Sequence, residues 1–129
     1  MAFQMTTDEK SVFGKRQFAN QAGDTECGEF VRRTSSAPHT TMWRKGDKVL
    51  DAKPGTIPRG TVIATFDDRD RYPTDGKGRH AAVYLSHTNH GIELLDQWNA
   101  QGLVKKRVIR VQNSDRPRSN AAQTFYIVE

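Results

Sequence analysis

The chain has 129 residues, a single cysteine, and 35% hydrophobic against 27% charged residues. That length supports one core and one domain over 1–129, and the lone cysteine excludes an internal disulfide and a cysteine-based zinc cage. The excess of 20 Lys and Arg over 15 Asp and Glu, net +5, is scattered in twos and threes, a solvated surface rather than a nucleic-acid stripe interleaved with aromatics.

From the N-terminus, residues 1 to about 22 are polar and irregular, and read as an arm leading into the domain. No basic segment followed by an apolar run marks a signal peptide, and no stretch approaches the ~20 apolar residues of a membrane span. The chain is expected to be made in the cytoplasm and to need another carrier if it acts elsewhere. Next, Asp24 or Thr25 can cap a helix, with Glu26 in the first turn where the dipole favours an acid. Cys27, Phe30, Val31 and Thr34 then fall at i, i+3, i+4 and i+7, one face of that helix. "TSSAPHT" ends it, and a second short helix is expected over "TTMWRKGDKVL", with Met42, Trp43, Val49 and Leu50 as its apolar contacts.

"KPGTIPRG" is turn chemistry, and beyond it the pattern changes to strands over 61–66, 80–86, 91–96, 106–111 and 124–128. The polar, glycine-containing loop "DDRDRYPTDGKGR" separates the first two, and its Tyr72 is placed to line a substrate groove. Helices first and strands afterwards predict an α+β domain with an antiparallel sheet of about five strands.

The segments "HAAVYLS" and "GIELLD" read as a hairpin. With position 88 as pivot, Leu85 faces Gly91, Val83 faces Glu93 and His80 faces Asp96, each pair ~4.5–5.5 Å apart on one face. A carboxylate beside an imidazole holds one tautomer and one orientation, which a nucleophilic enzyme requires behind its nucleophile. Cys27 is the natural third member, because a helix start and a neighbouring imidazolium both favour the thiolate. Gly28 costs a helix about 1 kcal/mol relative to Ala, yet leaves room for substrate beside a thiol.

Each residue also has a plainer reading. Cys27 can be a core side chain on an apolar helix face, His80 a half-buried strand residue and Asp96 a turn cap. His39, His87 and His90 read as loop or turn histidines. No third ligand accompanies His87 and His90, so no metal or other cofactor is expected. Trp43 and Trp98 read as core or cleft-wall aromatics, with Trp98 able to cover one side of the site.

"ECGEFVRR", "TMWRKGDKVL", "GTVIATF", "RYPTDGKGRHAAVYLS" and "GIELLDQWN" together resemble the small papain-like amidases of the wider NlpC and CHAP group, closest to compact type VI secretion amidase effectors. The resemblance covers residues 24–111. It implies a minimal papain-like fold, with a helix carrying the nucleophile packed on the antiparallel sheet. It makes Cys27 the nucleophile, His80 the base and Asp96 the partner that orients His80. Gln21 has the family's spacing for an oxyanion donor, and Gln97 competes for the third role or for substrate binding. The implied substrate is the peptide stem of bacterial peptidoglycan, cut by an effector delivered to the periplasm of a target bacterium. The implied partners are a cognate immunity protein and a component of the secretion apparatus; no nucleic-acid partner is expected. The reading from another class is a non-enzymatic basic module that binds nucleic acid or cell-wall polymer, with Cys27 in its core.

Overall fold

The computed structural model describes residues 2–14, 27–74, 78–98 and 101–129. Its elements, in chain order, are α1 (Glu9–Val12), α2 (Cys27–Thr34), β1 (Lys45–Lys48), β2 (Val62–Thr65), β3 (Ala81–Thr88), β4 (Gly91–Asp96), β5 (Lys105–Arg110) and β6 (Phe125–Val128). Short 3-10 turns link several of them. The six strands form one antiparallel sheet in the order β1-β6-β2-β3-β4-β5. The α+β class is as expected, with one strand more.

That extra strand lies in "TTMWRKGDKVL", where a helix was expected. Instead, a 3-10 turn at Thr40–Met42 leads into β1, and a second turn follows at Val49–Asp51. The cause is tertiary. Arg44 and Glu129 exchange backbone hydrogen bonds of 2.6 and 2.8 Å, drawing the segment onto the free edge of β6. A Cβ at Gly46 would lie 2.7 Å from the Ile127 carbonyl, so glycine permits the approach. The four apolar residues consequently do not share a helix face. Trp43 and Val49 are buried in different core clusters, and Met42 is 65% exposed.

The described part of the N-terminal segment is likewise tied down. Val62 donates to the Phe3 carbonyl at 2.8 Å and Met5 donates to that of Gly60 at 2.7 Å. Thr6 satisfies the last carbonyl of α2, donating to Thr34 from its amide (2.7 Å) and its hydroxyl (3.2 Å). Val12 of α1 enters the core, and Glu9 accepts two hydrogen bonds from Arg59 at 2.6 and 3.0 Å. Within an arm read as irregular from its polarity, residues 3–6 are therefore held by backbone pairing.

Both faces of the sheet are covered. On one, Phe30 and Val31 of α2 pack with Val62, Ala64, Val83, Leu85 and Leu95. On the other, Ile63, Tyr84, Ile92, Leu94, Ile109 and Phe125 are closed over by the turns at Val49–Asp51 and Ala122–Thr124. The buried face of α2 comprises Cys27, Phe30, Val31 and Thr34, the four residues given by the spacing. Thr34 and Ser35 hydroxyls donate back to the Phe30 and Val31 carbonyls, at 2.8 and 2.6 Å, where the helix ends. No helix of the described residues is long and apolar enough to cross a membrane.

The β3–β4 hairpin departs from the expected register. Its turn is two residues, so Thr88 faces Gly91 and Ser86 faces Glu93; then a bulge intervenes, and Tyr84 faces Leu94 and Val83 faces Leu95. The bulge decides where chemistry can occur. Up to it, paired residues sum to 179, a register that would put His80 and Asp96 on opposite faces. Past it they sum to 178, and the two side chains share a face.

Candidate active site

Three elements converge at the end of the hairpin away from its turn. Cys27 is the first residue of α2, which packs across β3. His80 immediately precedes β3, its backbone held by Thr65: the His80 amide donates to Thr65 Oγ1 at 3.1 Å, and the Thr65 amide donates to the His80 carbonyl at 3.0 Å. Asp96 ends β4. The structure thus brings together the three residues singled out from the sequence, although His80 and Asp96 are not directly opposed as expected.

His80 Nε2 donates to Asp96 Oδ2 across 2.7 Å, with both side chains almost fully enclosed. A carboxylate that only accepts fixes the proton on Nε2, so the hydrogen bond between His80 and the Cys27 thiol falls to Nδ1. Burial acts to lower the imidazole pKa, but the hydrogen bonds to Asp96 and Cys27 and their charges outweigh it, and His80 is pushed up to about 9. For Cys27, burial acts upward. The hydrogen bond and charge of His80, then the Tyr72 hydroxyl and the Ala81 amide, overcome it and hold the thiol below its ordinary value. Both directions favour a thiolate–imidazolium pair.

Tyr72 reaches the thiol from the β2–β3 loop, its Oη 3.4 Å from Cys27 Sγ. Residues 67–71 of this loop fold back on themselves: Asp67 Oδ1 accepts from the amides of Arg69 and Arg71 at 2.8 and 3.0 Å. The Tyr72 ring meets Trp43 edge-on at 4.7 Å, and Trp43 Nε1 donates to the Pro38 carbonyl at 2.9 Å. Trp98 stands edge-on to His80 at 6.1 Å on the other side. A Cβ at Gly28 would meet the Thr40 methyl at 3.6 Å, an ordinary contact, so this position faces Thr40. Gln97 is fully buried and has no surface to present to substrate. Gln21, and the capping residues Asp24 and Thr25, lie outside the described residues.

Two side chains in contact with Asp96 escaped the sequence reading. Arg107 Nε donates to Asp96 Oδ2 at 2.7 Å, and its guanidinium lies over the Trp98 ring at 4.3 Å. Asp96 Oδ2 thereby sits between two cations. Gln101 Nε2 contacts the Asp96 carbonyl, Asp96 Oδ1 and the Leu103 carbonyl at 2.8, 3.4 and 2.9 Å, holding the chain beyond β4 against the carboxylate. In the β4–β5 register Asp96 faces Lys105, which makes Arg107 its diagonal neighbour on the same face. That pairing was the available signal, and it requires the register. Among the described residues, no group of three His, Cys, Asp or Glu side chains is placed to hold a metal. His87 is a strand residue rather than a turn histidine, enclosed by hydrogen bonds to the Tyr84 hydroxyl (2.6 Å) and the Ala52 carbonyl (2.8 Å).

Residues 2–128 match the family described as domesticated amidase effector 2. The chain is 35% identical over 115 residues to a type VI secretion amidase effector 2 protein of Salmonella typhi, covering 81% of this chain and 84% of that protein. It is 38% identical over 90 residues to a domesticated amidase effector 2 of Ixodes scapularis, covering 70% of this chain and 58% of that protein. The solved structure of a type 6 secretion amidase effector 2 (Tae2) aligns with a TM-score of 0.79 at 31% identity, covering 97% of this chain and 93% of that one. Because the match spans residues 2–128, including α2, the hairpin and β5, the chain belongs to the domesticated amidase effector 2 family.

Proposed function

We propose that this protein is a cysteine amidase that hydrolyses peptide-stem amide bonds of bacterial peptidoglycan and acts as a secreted antibacterial effector. The observation that carries the chemistry is the buried hydrogen bond of 2.7 Å between His80 Nε2 and Asp96 Oδ2, with Cys27 near enough to His80 for each to shift the ionisation of the other. Kinship with proteins named type VI secretion amidase effectors supports both the reaction class and the route of delivery.

The Cys27 thiolate attacks the amide carbonyl, and the His80 imidazolium gives its proton to the departing amine. The neutral imidazole then takes a proton from water as it attacks the thioester, and expulsion of the Cys27 thiolate releases the acid product and restores the thiolate–imidazolium pair. Asp96 keeps the ring in the productive tautomer throughout, and Arg107 and Gln101 hold Asp96. The Cys27 amide faces the developing oxyanion, with Gln21 as a second donor by its spacing. A producer of such an enzyme needs protection, so a cognate immunity protein seated in the cleft and a component of the secretion apparatus are the proposed partners. The proposed site of action is the periplasm of a target bacterium.

Digestion of purified sacculi, with released fragments identified by mass, tests this reading. Wild type should release peptide fragments, and Cys27→Ala should release none while retaining its melting temperature. Undiminished release by Cys27→Ala overturns the proposal. Native-state alkylation separates it from the binding-module reading, because a thiolate reacts with iodoacetamide near pH 6 and a core thiol only after denaturation.

A further inference from the structure

On the far side of His80 from Cys27, Arg107, which lies over the Trp98 ring, lines a groove of about 580 Å³ between β5 and the segment 112–120. Its lining includes Arg107, Arg110 and Arg116, the neutral amides Asn113 and Asn120, and no carboxylate. We propose that this groove is a subsite for a carboxylate-bearing portion of the substrate on the amine side of the scissile bond. The inference rests on the amidase reading and names which part of the substrate this chain holds, and where.

The direction follows from the chemistry of the relay. The leaving amine takes its proton from His80, so the amine side of the substrate lies toward His80 and away from the helix that carries Cys27. A segment running that way crosses Trp98 and meets Arg107, whose Nη2 is 3.5 Å from His80 Nε2. That contact joins two donors, since Nε2–H is committed to Asp96, and Asp96 Oδ2 lies between them. Arg107 uses Nε on Asp96, and its remaining N–H groups are the innermost cations of the groove.

The charges farther out are not consumed inside the protein. Arg110 is exposed and has no ion pair among the described residues. Arg116 has only a 3.7 Å contact to Asp68, with side chains 61% and 88% exposed, a pair that water screens. A carboxylate entering the groove would find three guanidinium groups with no competing acid on the lining, the geometry suited to paired recognition. Peptide stems bear free carboxylates, and the groove selects stems that carry one beyond the cut.

The test uses purified peptide-stem fragments with the amine-side carboxylate either free or amidated, with steady-state kinetics on the intact chain. For wild type, amidation should raise KM roughly tenfold with little change in kcat, the loss of a charge-assisted contact. The double variant Arg110→Gln/Arg116→Gln should show the raised KM on both fragments, and Arg110→Lys/Arg116→Lys should keep part of the discrimination. Discrimination by the Gln double variant equal to that of wild type overturns the subsite, as does an equal loss of kcat on both fragments. Wild type inactive on both, or Cys27→Ala as active as wild type, overturns the amidase reading and the subsite with it.

Discussion

Cys27 and His80 owe their ionisation to one another, which shapes how stability depends on pH. His80 has a folded pKa of about 9 against 6.5 when unfolded, so its contribution is full below 6.5 and is lost as pH rises through about 9. Cys27 has the opposite sign: its folded pKa is below 9.0, so its contribution is full above 9.0 and is lost as pH falls through the folded value. Between the folded Cys27 value and pH 9 the two slopes have opposite signs, so the loss from His80 is offset by the gain from Cys27. Wild-type melting temperature should therefore fall less steeply toward pH 9 than His80 alone would make it. Cys27→Ser removes that offset while Asp96 still raises His80, so the variant should lose stability more steeply than wild type as pH rises from 6.5, visible in thermal scans. Parallel pH profiles for the two proteins would dismiss the ion pair. The three residues were legible because each is a reactive type at an element boundary; Arg107 was not, because an arginine on an edge strand is ordinary until the register shows Asp96 beside it.

At the scale of elements, α2 is positioned by its apolar face. Phe30 is fully buried between the helix and the sheet, and Phe30→Ala should cost about 3–5 kcal/mol. Chemical denaturation would report that loss as a lower midpoint, and a change below about 1 kcal/mol would mean that the helix does not dock as described. Its buried face was readable because a period of 3.6 needs no partner to be seen. β1 was not readable in this way. "KGDK" has no alternating pattern, and it becomes a strand because β6 offers an edge and Gly46 lets the backbones approach. The hairpin lies between these cases, with its strands evident from composition and its bulge invisible to it.

At the scale of the whole molecule, the N-terminal segment closes the fold by joining the end of α2 to the start of β2. Deleting residues 2–7 removes the bonds from Thr6 to Thr34, from Met5 to Gly60 and from Val62 to Phe3. At about 1 kcal/mol per hydrogen bond, the truncated protein should melt several degrees lower. A melting temperature unchanged by the deletion would show that this pairing adds nothing.

Residue chemistry and short-range periodicity were enough for the α+β class, the buried face of α2, the five expected strands close to their observed bounds, and the identity of the thiol, imidazole and carboxylate. These properties depend on neighbours within a turn or a strand, which the chain order states directly. The sixth strand, the bulge that returns His80 and Asp96 to one face, the Arg107 clamp and the arginine groove depend instead on contacts between distant segments. A one-residue change of register reverses every side chain beyond it, and no local pattern encodes that choice.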